Sequence, residues 1–348
     1  MRHVRLSMIG FGVVGQGLAE LLTTKRDLLR EKFGLDVTLV SVANARSGFI
    51  YREDGLDIST LLDLAATQRP LMAHSGIKHW ENALEGLRAS DADVLVEVTP
   101  TNLRDAEPGI SHIRTALSKG MHVVTANKGP VALHATELLA LAHKHGVQLG
   151  IESTVMAGTP VISAIREGMA GAHVHGLRGI LNGTTNYILS AMEAGRNYAE
   201  VLADAQAQSY AEADPSADVE GYDAVAKLLI LSALVFGHTL KPGQVARQGI
   251  TSITREQMQR VVDQHKRIKL IASLRLLTSD DGKEVEAYVE PMALPLSEPL
   301  DRVDGVMNAL TIQTDTLQEV TIIGPGAGRM QTAQGLLADI IACARCDS

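Results

Sequence analysis

Short apolar runs alternate with segments of helical spacing over the first 150 residues of the chain. Apolar runs rich in valine and isoleucine predict strands, and leucines and alanines three or four positions apart predict helices. The predicted strands are 4–9, 36–43, 93–99, 122–126 and 147–153. The predicted helices are 18–33, 58–65, 110–120 and 131–146. This alternation predicts an α/β fold with a parallel sheet that is covered by helices on both faces.

The pattern changes after residue 150. A helix is predicted over 160–171 and a strand over 175–182, and helices predominate from 184 to about 266. Three strand-like runs follow, and the short link at 278–283 favours antiparallel pairing; the runs are 268–276, 284–294 and 308–314. A final strand, turn and helix over 320–344 resemble the start of the chain. We therefore predict a first domain of 1–150, completed by 324–348, and an α+β domain of 151–323 with a mixed or antiparallel sheet.

A glycine-rich turn joins the first predicted strand to the following helical segment. Gly10, Gly12 and Gly15 form the pattern G-x-G-x-x-G. In dinucleotide-binding folds the first glycine permits a tight turn, the second lets a pyrophosphate approach, and the third lets helix and strand pack closely. Free N–H groups at the helix start can then bind the phosphates. We predict a Rossmann-type cofactor site formed by Gly10, Phe11, Gly12, Val13, Val14 and Gly15; the alternative is a turn without a ligand.

The end of the second predicted strand bears on the choice between NAD and NADP. An acid about 20 residues after the glycines would hold the ribose 2′-hydroxyl of NAD. Residues 42–47 contain no acid, whereas Arg46 could pair with a 2′-phosphate. We therefore expect that NADP is accepted, with NAD as the other cofactor. The alternative is that Arg46 is a solvated loop residue.

A lysine follows the strand 122–126. Asn127, Lys128, Gly129 and Pro130 lie beyond the carboxyl end of that strand, where ligands bind in open parallel sheets. Pro130 suits the first turn of the next helix. Lys128 could therefore reach a cofactor ribose or a substrate oxygen, although a lysine in a loop can equally face solvent.

An acid cluster at 210–227 precedes an apolar helix. The segment holds five carboxylates, and its one cation is Lys227. A helix that begins near Gly221 places Asp223 and Lys227 at i, i+4, and an exposed pair of this kind contributes about 0.2–0.5 kcal/mol. The following residues, 228–236, offer no polar face, so we expect a buried lysine that is suited to proton transfer. Surplus acids such as Glu212 could hold a substrate ammonium, which indicates a small zwitterionic substrate.

Composition and charge exclude several other classes of protein. The net charge is −8, whereas nucleic-acid binding favours a basic surface. The sequence contains no run of about 18 apolar residues, so no membrane helix is predicted. The first residues also lack the pattern of a cleaved signal peptide. The two cysteines, Cys343 and Cys346, favour a reducing cytoplasm. A single C-x-x-C is also too little for a zinc site.

These motifs together resemble the homoserine dehydrogenase family over nearly the whole chain. The matching segments are GFGVVGQG, VTANKGPVA, GIESTVMAGTP, LNGTTNYI, YAEADPSADVEGYDAVAK and GPGAG. The acid-rich segment is specific to that family, and the glycine loop is not. The resemblance implies reversible conversion of L-homoserine and NAD(P)⁺ to L-aspartate 4-semialdehyde and NAD(P)H, in threonine, isoleucine and methionine synthesis. It also implies a Rossmann-type domain, a dimerisation and substrate domain, and a homodimer or homotetramer.

The resemblance assigns roles to individual residues. Lys227 matches the general acid/base, and Lys128 matches a second lysine where cofactor and substrate meet. The residues implied for substrate binding are Glu212, Asp218, Asp223, Gly183 and Thr184. Thr99 and Gly326 match contacts to the cofactor. A monovalent cation, usually sodium, is implied at the matching positions Glu152, Val155, Ala157 and Thr159.

Some features depart from the family or favour rival classes. Many members carry an ACT domain or an aspartate kinase; we expect neither in this sequence, and therefore no threonine feedback through an ACT domain. Arg46 is not a fixed feature of the family. Aspartate-semialdehyde dehydrogenase needs a thiol nucleophile in mid-chain, where this sequence has none. A sensor that had lost catalysis is disfavoured because both Lys128 and Lys227 are present.

Overall fold

The computed structural model describes residues 1–279 and 282–346. The chain divides into two compact units, one formed by Met1–Gly158 with Gly328–Ser348 and the other by Thr159–Ala327. Each unit is built on a single sheet. The functional division made from the sequence, with dimerisation and substrate binding in 151–323, remains a prediction.

The first unit contains a seven-stranded sheet. Its strands are β1 (Arg2–Ile9), β2 (Leu35–Asn44), β3 (Gly48–Tyr51), β4 (Lys78–Trp80), β5 (Val94–Glu97), β6 (His122–Thr125) and β7 (Leu149–Gly150). They are ordered β4-β3-β2-β1-β5-β6-β7. The five strands from β2 to β7 in this order pair in parallel, and β3 and β4 extend the edge in antiparallel fashion. The predicted Rossmann-type sheet is thus confirmed.

The helices of this unit flank its sheet. They are α1 (Val13–Thr24), α2 (Arg26–Phe33), α3 (Ile58–Ala66), α4 (Ala83–Ala89), α5 (Gly109–Ser118), α6 (Lys128–Lys144) and α7 (Ser153–Met156), with a 3₁₀ turn at Leu71–Ala73. Leu6, Met8 and Leu18 are fully buried in the core cluster between β1 and α1. Burial of such side chains stabilises the unit because it removes apolar surface from water.

Two sequence predictions in this unit were wrong in detail. The single helix predicted over 18–33 is two helices that break at Lys25 (φ −105°, ψ 14°). The hydroxyls of Thr23 and Thr24 donate to carbonyls one turn back, at 3.1 and 2.9 Å, and this bonding weakens a helix. The strand predicted over 147–153 is only Leu149–Gly150, because the chain turns into α7 at Ser153.

The second unit contains a six-stranded mixed sheet. Its strands are β8 (Val174–Ile180), β9 (Ala246–Arg247), β10 (Lys266–Ser279), β11 (Gly282–Pro295), β12 (Met307–Thr314) and β13 (Gln318–Pro325). They are ordered β13-β12-β8-β10-β11-β9, and every pairing is antiparallel except that of β11 with β9. The predicted mixed sheet is confirmed. Asp280 and Asp281, in the link predicted to be a turn, lie outside the described residues.

Helices complete the second unit before the chain returns to the first. They are α8 (Val161–Ser163), α9 (Gly183–Glu193), α10 (Tyr198–Ala207), α11 (Ser216–Val219), α12 (Tyr222–Leu231) and α13 (Arg255–Asp263). One-turn π segments follow α8 and α12 at Ala164–Gly168 and Ser232–Phe236, and 3₁₀ turns lie at Pro242–Gln244 and Pro299–Arg302.

The last helix, α14 (Arg329–Cys346), packs in the first unit through Leu336, Leu337 and Ile340. The preceding strand, β13, stays in the second unit, where it pairs with β12 along eight residues. Cys343 is buried, whereas the side chain of Cys346 lies outside the described part of the chain. No helix of the described residues is long and apolar enough to cross a membrane.

Candidate active site

The glycine loop lies between β1 and α1, and its three glycines are required for different reasons. Gly10 has φ 107°, and a Cβ there would lie 2.4 Å from the carbonyl oxygen of Val98. A Cβ at Gly15 would lie 2.2 Å from the Gly10 carbonyl oxygen, so only glycine permits this approach. A Cβ at Gly12 would meet no atom within 4 Å. The open space at Gly12 fits the close approach of a pyrophosphate.

The start of α1 offers hydrogen-bond donors beside this open space. The first N–H groups of a helix have no intrahelical acceptor, and the amide of Gln16 is the donor that closes the first turn onto Gly12 O at 3.0 Å. Val13 is 66% exposed and Val14 half-buried, whereas Phe11 is buried. The Gln16 side chain donates to Phe11 O at 3.1 Å and braces the loop. The residues present therefore fit a bound dinucleotide.

Arg46 lies in the turn between β2 and β3, and β2 is the neighbour of β1 in the sheet. The side chain of Asn44 accepts hydrogen bonds from the amides of Arg46 and Ser47 at 3.1 and 2.7 Å. This local bonding fixes the turn while the Arg46 side chain is exposed. A guanidinium here has the chemistry to bind a 2′-phosphate, and that role remains a prediction.

A hydrogen-bonded network connects the carboxyl ends of β5 and β6. The Thr99 hydroxyl donates to the Glu97 carboxylate and accepts from Asn127 Nδ2 at 3.1 Å. The other amide atom, Asn127 Oδ1, accepts from Gly129 N at 3.1 Å and caps α6. Lys128 is the first residue of that helix and is half-buried. The predicted loop lysine thus lies at a helix start.

Glu97 was missed by the sequence analysis. Its carboxylate is fully buried and lies 3.6 Å from Nδ1 of the buried His112. The signal was a glutamate among the valines and leucine of 94–98. Buried acids need such partners, and this one orders Thr99, which the resemblance assigns to the cofactor.

In the second unit, Asp223 and Lys227 form the predicted i, i+4 pair on α12. Their Oδ2 and Nζ atoms are 2.8 Å apart, and Lys227 is 5% exposed. Lys227 Nζ also donates to the backbone carbonyl of Leu181. The alternative of a solvent-exposed ion pair was therefore wrong: the lysine is buried and hydrogen-bonded.

Asn182, which was not among the residues predicted from the sequence, connects this pair to a second acid, Asp218. Its Nδ2 donates to Asp218 Oδ1 at 2.7 Å and to Asp223 Oδ2 at 3.0 Å. Its Oδ1 accepts from Thr185 N at 2.9 Å and caps α9. The available signal was a capping residue directly before the GTT of the LNGTTNYI segment.

The other acids of the cluster have separate surroundings. Glu220 contacts Arg247 at 3.6 Å and Thr251 at 2.8 Å, and Asp214 accepts from the amide of Ser216 at 3.1 Å. Glu212 is exposed. Of the five carboxylates that the sequence groups together, Asp218 and Asp223 thus share the Asn182 amide, and Asp223 pairs with Lys227.

Gly183 and Thr184 form the first turn of α9. A Cβ at Gly183 would lie 2.6 Å from the carbonyl oxygen of Val306, so the helix start and that loop are in close contact. The Thr184 hydroxyl donates to Tyr210 O at 2.6 Å, at the beginning of the acid-rich segment. Both residues therefore border the cluster around Asn182.

Gly326 follows β13 and lies against the side chain of Asn308. A Cβ at Gly326 would lie 2.1 Å from the Asn308 amide nitrogen. The Asn308 side chain is buried, and neither of its amide atoms has a hydrogen-bond partner among the described residues. Only glycine fits beside it, and the contact of Gly326 with a cofactor remains a prediction.

The residues implied for sodium divide between the two units. Glu152, Val155 and Ala157 are buried in the first unit, and Ala157 has the uncommon φ of 51°. Thr159 begins the second unit and donates to Pro325 O at 2.9 Å. The described residues contain no group of three or more His, Cys, Asp or Glu side chains arranged for a metal. The set implied for sodium has one carboxylate and otherwise backbone carbonyls, so the absence of such a side-chain group does not test it. The sodium site remains a prediction.

Known families and solved structures resemble this chain throughout its length. Residues 10–152 match the family model "Homoserine dehydrogenase, NAD binding domain", and residues 160–341 match "Homoserine dehydrogenase". An NAD(+)-dependent homoserine dehydrogenase of Pseudomonas canavaninivorans is 38% identical over 98% of this chain and 96% of its own.

Two solved structures share the fold. A homoserine dehydrogenase of Thiobacillus denitrificans has a TM-score of 0.84 and 32% identity over 99% of this chain and 74% of its own. A hyperthermophilic archaeal homoserine dehydrogenase in complex with NADPH has a TM-score of 0.84 and 29% identity over 99% of this chain and 98% of its own.

The dinucleotide fold with an open glycine turn, together with these matches, defines an NAD(P)-dependent oxidoreductase. The chain belongs to the homoserine dehydrogenase family.

Proposed function

We propose that the protein reversibly interconverts L-homoserine and L-aspartate 4-semialdehyde with NAD(P). The observation that carries the proposal is the buried Lys227 ammonium, which is paired with Asp223 and linked through Asn182 to Asp218. A positioned lysine is a suitable acid/base at a hydroxyl or carbonyl oxygen.

The charge of the cluster favours an amino-acid substrate. Asp218 and Asp223 carry two negative charges and Lys227 one positive charge, so these three side chains sum to −1. A substrate α-ammonium would neutralise this surplus negative charge and would donate charge-assisted hydrogen bonds to the carboxylates. Gly183 and Thr184 border the same cluster, and the exposed Glu212 adds negative charge to the acid-rich segment. We assign these residues to substrate binding.

Lys227 moves the proton in both directions of the reaction. As an ammonium it donates a proton to the oxygen that forms when the aldehyde is reduced, and as a neutral amine it removes the homoserine hydroxyl proton. The bound cofactor supplies the hydride chemistry at its nicotinamide ring. Asp223 holds Lys227 in place throughout, since its carboxylate lies 2.8 Å from Nζ. Lys128 is assigned as the second lysine of the reaction.

The glycine loop and the residues that follow β2, β5 and β6 are assigned to the cofactor. Residues 10–15 would hold the pyrophosphate, Thr99 and Lys128 would contact the ribose and nicotinamide portions, and Arg46 would hold the 2′-phosphate of NADP. Gly326 is assigned a further contact. The relatives named above include an NAD(+)-dependent enzyme and an NADPH complex, and the lack of an acid at residues 42–47 supports use of NADP.

Further assignments follow from family membership. We propose a sodium ion at Glu152 and the carbonyls of Val155, Ala157 and Thr159, since hard oxygen ligands suit it. We also propose a homodimer or homotetramer in the cytoplasm that acts in threonine, isoleucine and methionine biosynthesis.

The test is the absorbance change at 340 nm with L-homoserine and NADP⁺ or NAD⁺. Wild type should reduce at least one cofactor, and Lys227→Ala and the longer Lys227→Met should lose roughly 10²- to 10⁴-fold in kcat. Lys241→Ala removes an exposed lysine of the same unit and should keep the wild-type rate. A full rate in a folded Lys227 variant would exclude its acid/base role. No rate in wild type with either cofactor would overturn the proposed function.

A further inference from the structure

We propose that Asn182 is a positioning residue for this reaction, which holds Asp218 and Asp223 together as one ammonium-binding pair and aligns Asp223 with Lys227. The inference rests on the proposed function and adds to it a residue that acts through Asp218 and Asp223.

The Asn182 amide joins three separate elements. Its two N–H groups donate to Asp218 on α11, at 2.7 Å, and to Asp223 on α12, at 3.0 Å. These acids are 36 and 41 residues away along the chain. Asn182 is 5% exposed, so little water competes for these bonds. One neutral side chain thus fixes the separation of two carboxylates that would otherwise repel each other.

Two donors converge on one oxygen atom of Asp223. Oδ2 accepts both from Asn182 Nδ2, at 3.0 Å, and from Lys227 Nζ, at 2.8 Å. Lys227 in turn donates to the carbonyl of Leu181, the residue directly before Asn182. The turn at 181–182 therefore contacts both members of the ion pair, so the position of Asn182 sets where the ammonium lies.

The orientation of the amide is determined by the helix that it caps. Oδ1 accepts from the Thr185 amide at 2.9 Å and from the Thr185 hydroxyl at 3.1 Å. Because the oxygen must face these donors, the NH₂ group must face the two carboxylates, whose charged oxygens only accept. Helix capping and acid positioning are thus performed by opposite ends of one side chain.

This division of roles permits variants that separate them. Asn182→Ser keeps a good helix cap and removes the amide donor. Asn182→Asp also keeps a cap and the side-chain volume, but it replaces the donor with a third carboxylate beside Asp218 and Asp223. Asn197→Asp is the matched control, because the exposed Asn197 caps α10 by accepting from Glu200 N at 2.9 Å.

We would measure kcat and both KM values for the full-length variants, together with their thermal unfolding. Loss of a hydrogen bond to a charged group should raise KM for L-homoserine roughly tenfold or more in Asn182→Ser and lower kcat by a similar factor. Asn182→Asp should be worse in both parameters because it adds repulsion. KM for NAD(P)⁺ should stay within about twofold of wild type, and Asn197→Asp should match wild type throughout.

The outcomes separate this inference from the proposed function. If both Asn182 variants had the wild-type kcat and KM for L-homoserine, the inference would be overturned. The proposed function would still stand, because the wild type and the Asn197→Asp control would be active. The inference would also be overturned if both variants lost activity equally and only in proportion to a lowered melting temperature. Asn182 would then act as a helix cap alone. An inactive wild type would overturn both.

Discussion

A substitution at Gly12 should change the affinity for the cofactor with little effect on the stability of the fold. The residue has φ −86°, which any L-residue adopts, and a Cβ there meets no atom within 4 Å. In Gly12→Ala the new methyl group therefore requires no shift of the protein. Alanine is a poorer helix cap than glycine, at a cost of about 0.5–1 kcal/mol, which corresponds to a melting shift of only about 3 °C.

The same methyl group should weaken cofactor binding strongly. It occupies the open space through which a pyrophosphate would approach the backbone. If one charge-assisted hydrogen bond is lost, the loss is about 1.5–3 kcal/mol, or roughly ten- to hundredfold in the Kd for NADPH. Fluorescence titration with NADPH measures the affinity, and thermal unfolding followed by circular dichroism measures the stability.

Substitutions at two other glycines serve as comparisons for Gly12→Ala. Gly15→Ala would place a Cβ 2.2 Å from the Gly10 carbonyl oxygen, and this overpacking should destabilise the protein by about 1–3 kcal/mol. Gly243→Ala adds the same methyl group in open space of the other unit and should change neither measurement. Wild-type NADPH affinity in a folded Gly12→Ala would refute the assignment of the pyrophosphate to this loop.

Three other predictions concern cofactor choice and stability. Arg46→Ala should raise KM for NADP⁺ about tenfold and leave KM for NAD⁺ unchanged, since a 2′-phosphate loses its cation; equal KM values for NADP⁺ in both proteins would contradict this. Lys269→Met should lower the free energy of unfolding in urea by about 2 kcal/mol, because the fully buried Nζ donates to Val303 O at 2.7 Å and to Asp304, whose side chain is 54% exposed, at 3.0 Å; a loss below about 0.5 kcal/mol would refute it. Hydrogen bonds from Ser59 and Thr60 lower the pKa of Asp57 from 3.8 to about 2, so its stabilising effect is present above pH 3.8 and is lost as the pH falls through 2. Asp57→Ala should therefore cost about 1 kcal/mol at pH 7, and the difference from wild type in unfolding experiments should shrink between these two pH values; a constant difference would show that the carboxylate is not its source.

Local patterns along the chain predicted much of the first unit. Buried parallel strands are short apolar runs because both faces of the sheet are covered, and the runs at 4–9, 36–43 and 122–126 correspond to β1, β2 and β6. The glycine loop was predicted because a tight turn, an open approach and close packing each exclude a side chain. The antiparallel strands β3 and β4 were missed because β4 (KHW) has no apolar run and β3 (GFIY) begins with a glycine directly after the turn that ends β2, so neither has a pattern of its own.

The partner of a strand could not be predicted from its own residues. The final strand, at 318–325, has the apolar pattern of a buried strand and precedes a glycine turn, as β1 does. The structure pairs it with β12 through a hairpin, and only α14 returns to the first unit. Pairing depends on which edge is available in space, which the periodicity of one segment does not encode.

The sequence by itself determined the Asp223–Lys227 pair, because i, i+4 spacing brings two side chains onto one helix face, and the apolar residues after it indicated burial. Only the tertiary structure decided which acids join that pair. Asp214, Asp218 and Glu220 have similar local sequence, yet only Asp218 meets Asn182, from a helix start 36 residues earlier. Such a contact depends on the packing of three helices, because hydrogen bonds between distant residues form only where the fold brings their atoms within about 3 Å.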